Sequence, residues 1–368
     1  MAGHRDAGSV SGMSAPSTPP GPGRPLHRSV REGATGASSS PSSWSSSSSP
    51  RPARLCVVGS LNADITVVAD RFPAPGETVG GGPLTIVPGG KGANQAVAAA
   101  RLGAEVFMIG LIGDDANGAM LRRTLRAEGV DDSGVALAGD VSSGSAVITV
   151  DPAGENTIVV SPGANGAVDA EAVRRHAAVI RASDCLCVGF EVPDSAVTEA
   201  ARLAADAGVP VLLNPSPWRA VSPELIRLTD VLLVNEHELA LLRAAHGVGG
   251  RLGPADGDDC VDGDAVADAL AGCGIRAAVV TRGSRGCLVV ERGRLVAEFP
   301  GADIVAVDST GAGDAVTGAV ATVLGEGGSL VDAARLAMGV AAASVTVAGA
   351  QASYPRRADL QAASLPSR

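Results

Sequence analysis

The chain has 368 residues, enough for one large α/β domain or two average ones, and 45% of them are hydrophobic, which suffices for a real core. Aromatic residues are only 2%, so that core must be built from Ala, Val, Leu and Ile, and a site that grips its ligand between stacked rings is disfavoured. The formal charge is −10, and residues 1–53 carry five arginines against Asp6 and Glu32, which leaves about −13 on the rest and argues against nucleic acid as a partner.

Residues 1–53 form a Ser, Pro and Gly tract with a pure serine run at 45–49. Its apolar content is too low to offset the entropy of ordering, so disorder is expected. An apolar secretory h-region is missing. The Arg- and Ser-rich composition fits an organelle transit peptide, and equally an appended extension or a start codon placed too early.

At Arg54 the character changes. Residues 55–59 are a short apolar run ending in Gly59, the pattern of a buried parallel strand, and similar runs recur at 106–110, 185–189, 209–213, 231–234 and 277–281. Segments of helical period lie at 93–102, 116–128, 194–207 and 263–271. This alternation predicts one α/β domain over 54–368, a doubly wound parallel sheet flanked by helices, with ligands beyond the carboxyl ends of the strands.

Two stretches, 64–88 and 144–161, break the rhythm. Each holds two β-rich runs without a helix of its own, and they read as antiparallel hairpins forming a small β-sheet lid. Such a lid can shut water out of a site beneath it. The exposed strand edges of a lid need covering, so two lids are expected to pair in a homodimer. Residues 246–262 are Gly- and Asp-rich and read as a surface insertion.

The six cysteines contain no C-x-x-C pair and read as free thiols of a reducing, cytoplasmic compartment. The five histidines have no metal-ligand spacing, and no apolar run is long enough to cross a membrane.

The most informative stretch is Ala306-Val307-Asp308-Ser309-Thr310-Gly311-Ala312-Gly313-Asp314, which joins a predicted strand to a predicted helix. Gly311 and Gly313 open the backbone to a ligand, and the free N–H groups and dipole of the helix favour an anion such as a phosphate. Asp314 beside that anion site fits a base taking a proton from an attacking hydroxyl. An ordinary Gly-rich turn, with Asp314 as a first-turn charge, fits the same residues. Asn62 and Asp64, just past the first strand, lie two residues apart and face the same way, a pair able to grip vicinal hydroxyls or merely an Asx turn. Gly89-Gly90-Lys91-Gly92-Ala93-Asn94 opens a helix with donors at Lys91 and Asn94. It is not a Walker A loop, since Lys91 is followed by Gly, and no G-x-G-x-x-G follows the first strand, which weakens a dehydrogenase reading.

These motifs occur in a recognisable order: Gly59-Ser60-Leu61-Asn62-Ala63-Asp64, Pro75-Gly76-Glu77-Thr78, the hexamer followed by Gln95-Ala96-Val97-Ala98, and Gly113-Asp114-Asp115. Then come Asn214-Pro215, Asn235-Glu236-His237-Glu238, Thr281-Arg282-Gly283-Ser284-Arg285-Gly286, the 311–314 turn and Gly349-Ala350-Gln351. Over residues 54–355 this resembles the ribokinase (PfkB-type) carbohydrate kinase family. The resemblance implies ATP-dependent phosphorylation of a sugar, D-ribose at its 5-hydroxyl, or else deoxyribose, fructose or a nucleoside. It implies sugar contacts at Asn62, Asp64, Gly90, Lys91, Gly92, Asn94 and Glu191, a catalytic base at Asp314 and an anion hole at Gly311, Ala312 and Gly313. For Mg-ATP it implies Asn235 and Glu238 near Mg²⁺, acting largely through water. Thr281, Gly283, Ser284, Gly286 and Gly313 match the nucleotide loop, with Met338 near the adenine. A K⁺ site is implied at Asp308 and Ser353 through their side chains and at Thr310, Ser344, Val347 and Gly349 through their carbonyls. Ser309 departs from the usual Thr, and Met338 stands where some relatives carry a polar residue. A sugar sensor without turnover is the rival from another class, disfavoured while Asp314, the glycines and Lys91 are all present.

Overall fold

A computed structural model describes residues 51–249 and 262–362. The strands are β1 (Arg54–Val58), β2 (Asn62–Val68), β3 (Thr85–Gly89), β4 (Glu105–Ile112), β5 (Asp131–Leu137), β6 (Gly144–Val150) and β7 (Asn156–Ser161). They continue as β8 (Cys185–Gly189), β9 (Val211–Asn214), β10 (Val231–Asn235), β11 (Ala277–Thr281), β12 (Cys287–Glu291) and β13 (Arg294–Phe299). The helices are α1 (Lys91–Arg101), α2 (Ala116–Ala127), α3 (Ala170–Arg174), α4 (Ala177–Ala182), α5 (Asp194–Ala207) and α6 (Pro223–Leu228). After them come α7 (Glu236–Ala245), α8 (Gly263–Gly272), α9 (Ala312–Gly325), α10 (Leu330–Ser344), α11 (Ala350–Ser353) and α12 (Arg357–Ala362).

Nine strands form the main sheet in the order β13-β12-β11-β10-β9-β8-β1-β4-β5. From β11 to β5 all neighbours are parallel, while β12 and β13 add an antiparallel edge that the strand and helix rhythm did not predict. The strands read as continuous apolar runs because both faces are covered. In β1, Leu55 and Val57 face the layer containing α1, α9 and α10, whereas Cys56 and Val58 face the layer containing α5 and α8. The near absence of aromatic residues is answered by close helix packing: a Cβ on Gly318 of α9 would lie 2.7 Å from the Gln95 carbonyl oxygen of α1.

The two predicted lid stretches form a separate four-stranded sheet in the order β3-β2-β6-β7. β2 with β3 and β6 with β7 are antiparallel as expected, but the pairs are joined by a parallel β2–β6 ladder running from Asn62↔Gly144 to Val68↔Val150. Side chains paired directly across strands share a face, so Ile86, Ile65, Val147 and Val159 form one apolar row and Val87, Asp64, Ala146 and Val160 lie on the other face. The Asp64 side is the one turned to the main sheet, since Asp64 interacts electrostatically with Glu191 and Asp314.

Of the tract 1–53 only residues 51–53 lie within the described residues. Arg51 donates to Asp184 at 2.9 Å, the Ala53 carbonyl accepts from Glu105 N, and Ala53 is buried, so this linker is held by the sheet it enters. Of the expected insertion at 246–262, residues 250–261 lie outside the described residues; Val248 packs on the core and Asp262 caps α8.

Candidate active site

In the main sheet, β4 and β5 follow β1 on one side and β8 to β11 lie on the other, so the chain order switches between β1 and β8 and a crevice opens at their carboxyl ends. The segments leaving β1 and β8 and the start of α1 converge there. One Glu191 carboxylate oxygen accepts from Ser60 Oγ, from Lys91 N at 2.9 Å and from Asn62 Nδ2 at 3.4 Å, while Ser60 Oγ accepts from Gly92 N at 3.2 Å. Gly90 has a left-handed φ of 87°, and a Cβ on it would sit 2.6 Å from Asn62 N. One on Gly92 would sit 2.6 Å from Ser60 N. Both glycines are thus required to bring α1 against residues 59–62, a packing reason that their sequence pattern alone did not reveal.

Asn165, buried after the lid, accepts from Leu61 N at 2.9 Å and donates to Leu61 O at 3.1 Å, so its amide replaces a strand partner. It also donates to Asn62 Oδ1 at 2.7 Å and thereby turns the Asn62 nitrogen toward Glu191. Sequence reasoning missed Asn165, because a single Asn in a Gly-rich turn carries no distinguishing signal. Asp64 projects from β2 against Gly89, where any side chain would collide with its carboxylate. Burial, with Glu191 and Asp314 adding like charge, pushes the Asp64 carboxyl up to about 7.

Asp314 stands in the first turn of α9 and is buried. Its two oxygens are engaged separately: Oδ2 accepts from Asn94 Nδ2 at 2.9 Å and Oδ1 from Gln95 Nε2 at 3.3 Å. Burial raises the carboxyl above its ordinary range, against the opposing pull of Lys91 and the amide of Asn94. Burial alone would lower the half-buried Lys91 ammonium, but Asp314, Glu191 and Glu238 outweigh it and hold it above its ordinary value. The site therefore sets a charged ammonium against a buried carboxylate held above its ordinary range.

The turn before α9 is an open anion cradle. Ala312 N bonds Ser309 O and Ala315 N bonds Gly311 O, leaving the N–H groups of Gly313 and Asp314 without a partner among the described residues. A Cβ on Gly313 would meet nothing within 4 Å, so this position faces free space. Beside it lies a cavity of about 260 Å³, and of the predicted nucleotide residues Thr281, Gly283, Ser284, Gly286, Gly313 and Met338 all line it. Gly301, Ile304 and Val345 are also in its wall; they belong to no motif and were not foreseen. Asn235 and Glu238 are outside this lining. They form a reciprocal capping box at the start of α7, with Glu238 N on Asn235 Oδ1 at 2.8 Å and Asn235 N on Glu238 Oε2 at 3.0 Å. A groove of about 530 Å³ opens at the opposite, amino ends of β1, β4 and β5 and holds no motif residue.

Of the expected cation residues, Asp308, Thr310 and Gly349 are tied together by hydrogen bonds behind the turn, whereas the Ser353 hydroxyl donates to Ala350 O at 2.8 Å. Val307 N and Asp308 N both donate to Val345 O, which lays residues 307–310 along the end of α10. Asp308 accepts from Thr310 N at 2.8 Å and from Gly349 N at 2.7 Å, which holds its carboxyl below the ordinary range once burial is overcome. A donor set of one carboxylate, one hydroxyl and backbone carbonyls is hard oxygen throughout and fits an alkali cation. Among the described residues no three His, Cys, Asp or Glu side chains converge to hold a metal.

A helix dipole aimed at an open glycine, a buried carboxylate next to it and an adjoining cavity on the ligand side of a doubly wound sheet define a phosphotransferase that acts on a hydroxyl. Residues 52–357 match the pfkB family carbohydrate kinases, and the chain belongs to that family. It is 39% identical over 305 residues to the ribokinase of Haemophilus influenzae, covering 82% of this chain and 95% of that protein. To the deoxyribokinase of Salmonella typhi it is 33% identical over 302 residues, covering 82% and 95%. The structure of Arabidopsis thaliana ribokinase complexed with ribose and ATP is similar with a TM-score of 0.75 at 31% identity, covering 84% of this chain and 98% of that one.

Proposed function

We propose that the chain transfers the γ-phosphoryl group of ATP to the 5-hydroxyl of D-ribose. The observation that carries this reading is the buried Asp314 carboxylate beside the open cradle at Gly313. Asn62, Asp64, Lys91, Asn94 and Glu191 grip the sugar, with Gly90 and Gly92 bringing the backbone close. Asp314 takes the hydroxyl proton as that oxygen attacks phosphorus; the new P–O bond forms as the bond to ADP breaks. The open N–H groups at Gly313 and Asp314, in the turn made by Gly311 and Ala312, receive the charge that builds on the transferring group. Thr281, Gly283, Ser284 and Gly286 hold the nucleotide, with Met338 against the base.

Asn235 and Glu238 help position Mg²⁺ through water, and the ion when bound neutralises phosphate charge. Asp308 and Ser353 through their side chains, and Thr310, Ser344, Val347 and Gly349 through their carbonyls, would hold K⁺, whose charge would steady the dipoles of the cradle. The four-stranded sheet closes over the sugar and excludes water. Its exposed row of Ile86, Val147 and Val159 supports a homodimer through the lid. The five described cysteines are free and buried, in keeping with a cytoplasmic enzyme, and no helix among the described residues is long and apolar enough to cross a membrane. The likeness to a deoxyribokinase keeps 2-deoxyribose as the second reading.

The test is ADP release with Mg-ATP across D-ribose, 2-deoxyribose, fructose and adenosine, each in K⁺ and in Na⁺ alone. Ribose-selective, K⁺-stimulated turnover is expected. Selectivity for another acceptor would move the assignment within the family, and no turnover on any acceptor would sink the kinase reading.

A further inference from the structure

Gln351 is buried in α11, directly after the glycine turn at Gly349, and the mechanism above makes no use of it. Its Nε2 donates to Asn94 Oδ1 at 3.0 Å, and Asn94 Nδ2 donates in turn to Asp314 Oδ2 at 2.9 Å. The direction of both amides follows from the carboxylate. An ionised Asp314 only accepts, so Asn94 must present its nitrogen to it; the Asn94 oxygen then faces Gln351, which must present nitrogen as well. Gln351 Oε1 is buried with no partner among the described residues, so the amide is oriented by Asn94 alone, at the cost of a desolvated acceptor.

The backbone beneath Gln351 is anchored independently. Arg101 Nη1 donates to the carbonyls of Gln351 and Tyr354 at 2.6 and 2.8 Å, and the same guanidinium makes two bonds to Glu128. Tyr354 in turn donates to the Gly311 carbonyl of the cradle at 3.0 Å. A side chain on so fixed a base cannot follow Asn94 if that amide rotates. Without Gln351, Asn94 is free to turn its oxygen toward Asp314, which replaces a donor with a repelling acceptor.

Resting on the kinase reading, we infer that Gln351 is a positioning residue that acts through Asn94 to hold the Asp314 carboxylate in its reactive orientation. The other groups that bear on Asp314 are Lys91, Gln95, Glu191, Asp64 and Tyr354, and the substitutions below leave them unchanged.

The experiment uses the full chain with Gln351→Met, which keeps length and removes the donor, and Gln351→Glu, which keeps shape and only accepts when ionised. Each is made in the wild-type and the Asn94→Ala backgrounds, and kcat is read over pH 5.5–9 with the best acceptor of the wild type. Thermal melting and Mg-ATP binding report folding. Q351M is expected to lower kcat by about 10- to 100-fold and to move the acid limb of the profile to higher pH, because Asp314 has lost a donor that favours its charged form. In the Asn94→Ala background the same change is expected to alter kcat by less than about twofold, since the relay is already cut. Wild-type kcat and pH profile in folded Q351M and Q351E would overturn the inference, and so would an undiminished loss in the Asn94→Ala background. A wild-type chain that turns over no acceptor would overturn the kinase reading itself and the inference with it.

Discussion

Gly311 has a left-handed φ of 74°, and a Cβ there would lie 2.6 Å from the Ala350 Cβ, whereas a Cβ on Gly313 would touch nothing within 4 Å. The first glycine is a requirement of the fold and the second of the ligand. Gly311→Ala is therefore expected to cost roughly 1–2 kcal/mol or more through the backbone alone, seen as a lowered melting temperature. Gly313→Ala should melt at or above the wild type yet lose at least about tenfold in kcat, as the methyl occupies the phosphoryl site. Equal effects of the two changes on stability would refute this division. Asp314→Asn is expected to cut kcat by about 10²- to 10⁴-fold with sugar affinity little changed; near-normal turnover would exclude it as the base. Asp64 brings a pH dependence. Its folded-state carboxyl lies at about 7 against an ordinary 3.8, so the stability it contributes is present below about pH 4 and lost as pH rises through 7. The advantage of the ligand-free wild type over Asp64→Asn should accordingly shrink from pH 5 to pH 8 in unfolding titrations. The KM for sugar should fall over the same range as the carboxylate becomes a stronger acceptor. Asp314, Lys91 and Asn62 were legible because each sits in a glycine-marked motif; Ser60, Asn165 and Gln351 reveal their tasks only through partners far away in the chain.

At the scale of elements, α1 brings Asn94 and Gln95 to the site and α9 brings Asp314, so their spacing sets the reactive geometry. Gly318 lets them approach. Gly318→Ala places a methyl 2.8 Å from the Ala98 Cβ and is expected to cost roughly 1–3 kcal/mol, with kcat falling alongside; a variant that melts and turns over normally would show the contact to be slack. The centres of α1, α2, α5 and α8 were readable from helical period, α9 from the glycine turn that precedes it, and the buried strands from apolar runs. The edge strands β12 and β13 were not, because an antiparallel return needs only the short 292–293 turn and interrupts the strand and helix rhythm. Helix α10 gave no such signal, since its Ala and Gly content blurs the amphipathic contrast that marks a helix.

For the whole molecule, the exposed row of Ile86, Val147 and Val159 lies on the lid face opposite Asp64. If two lids cover these rows, Val147→Lys combined with Val159→Lys should convert a dimeric mass by light scattering into a monomeric one. A wild type that is already monomeric would remove the proposal. The amino-acid sequence by itself determined the α/β class, the small separate sheet and the glycine turn that opens α9, because apolar period and glycine spacing are local and survive in one dimension. Only the tertiary structure decided that β2 pairs in parallel with β6, that Asp64 shares its surroundings with Glu191 and Asp314, and that Gln351 reaches Asn94 across 257 residues. Those facts depend on which segments meet and how deeply they bury their polar groups, and burial and proximity are properties of the folded chain rather than of any stretch of it.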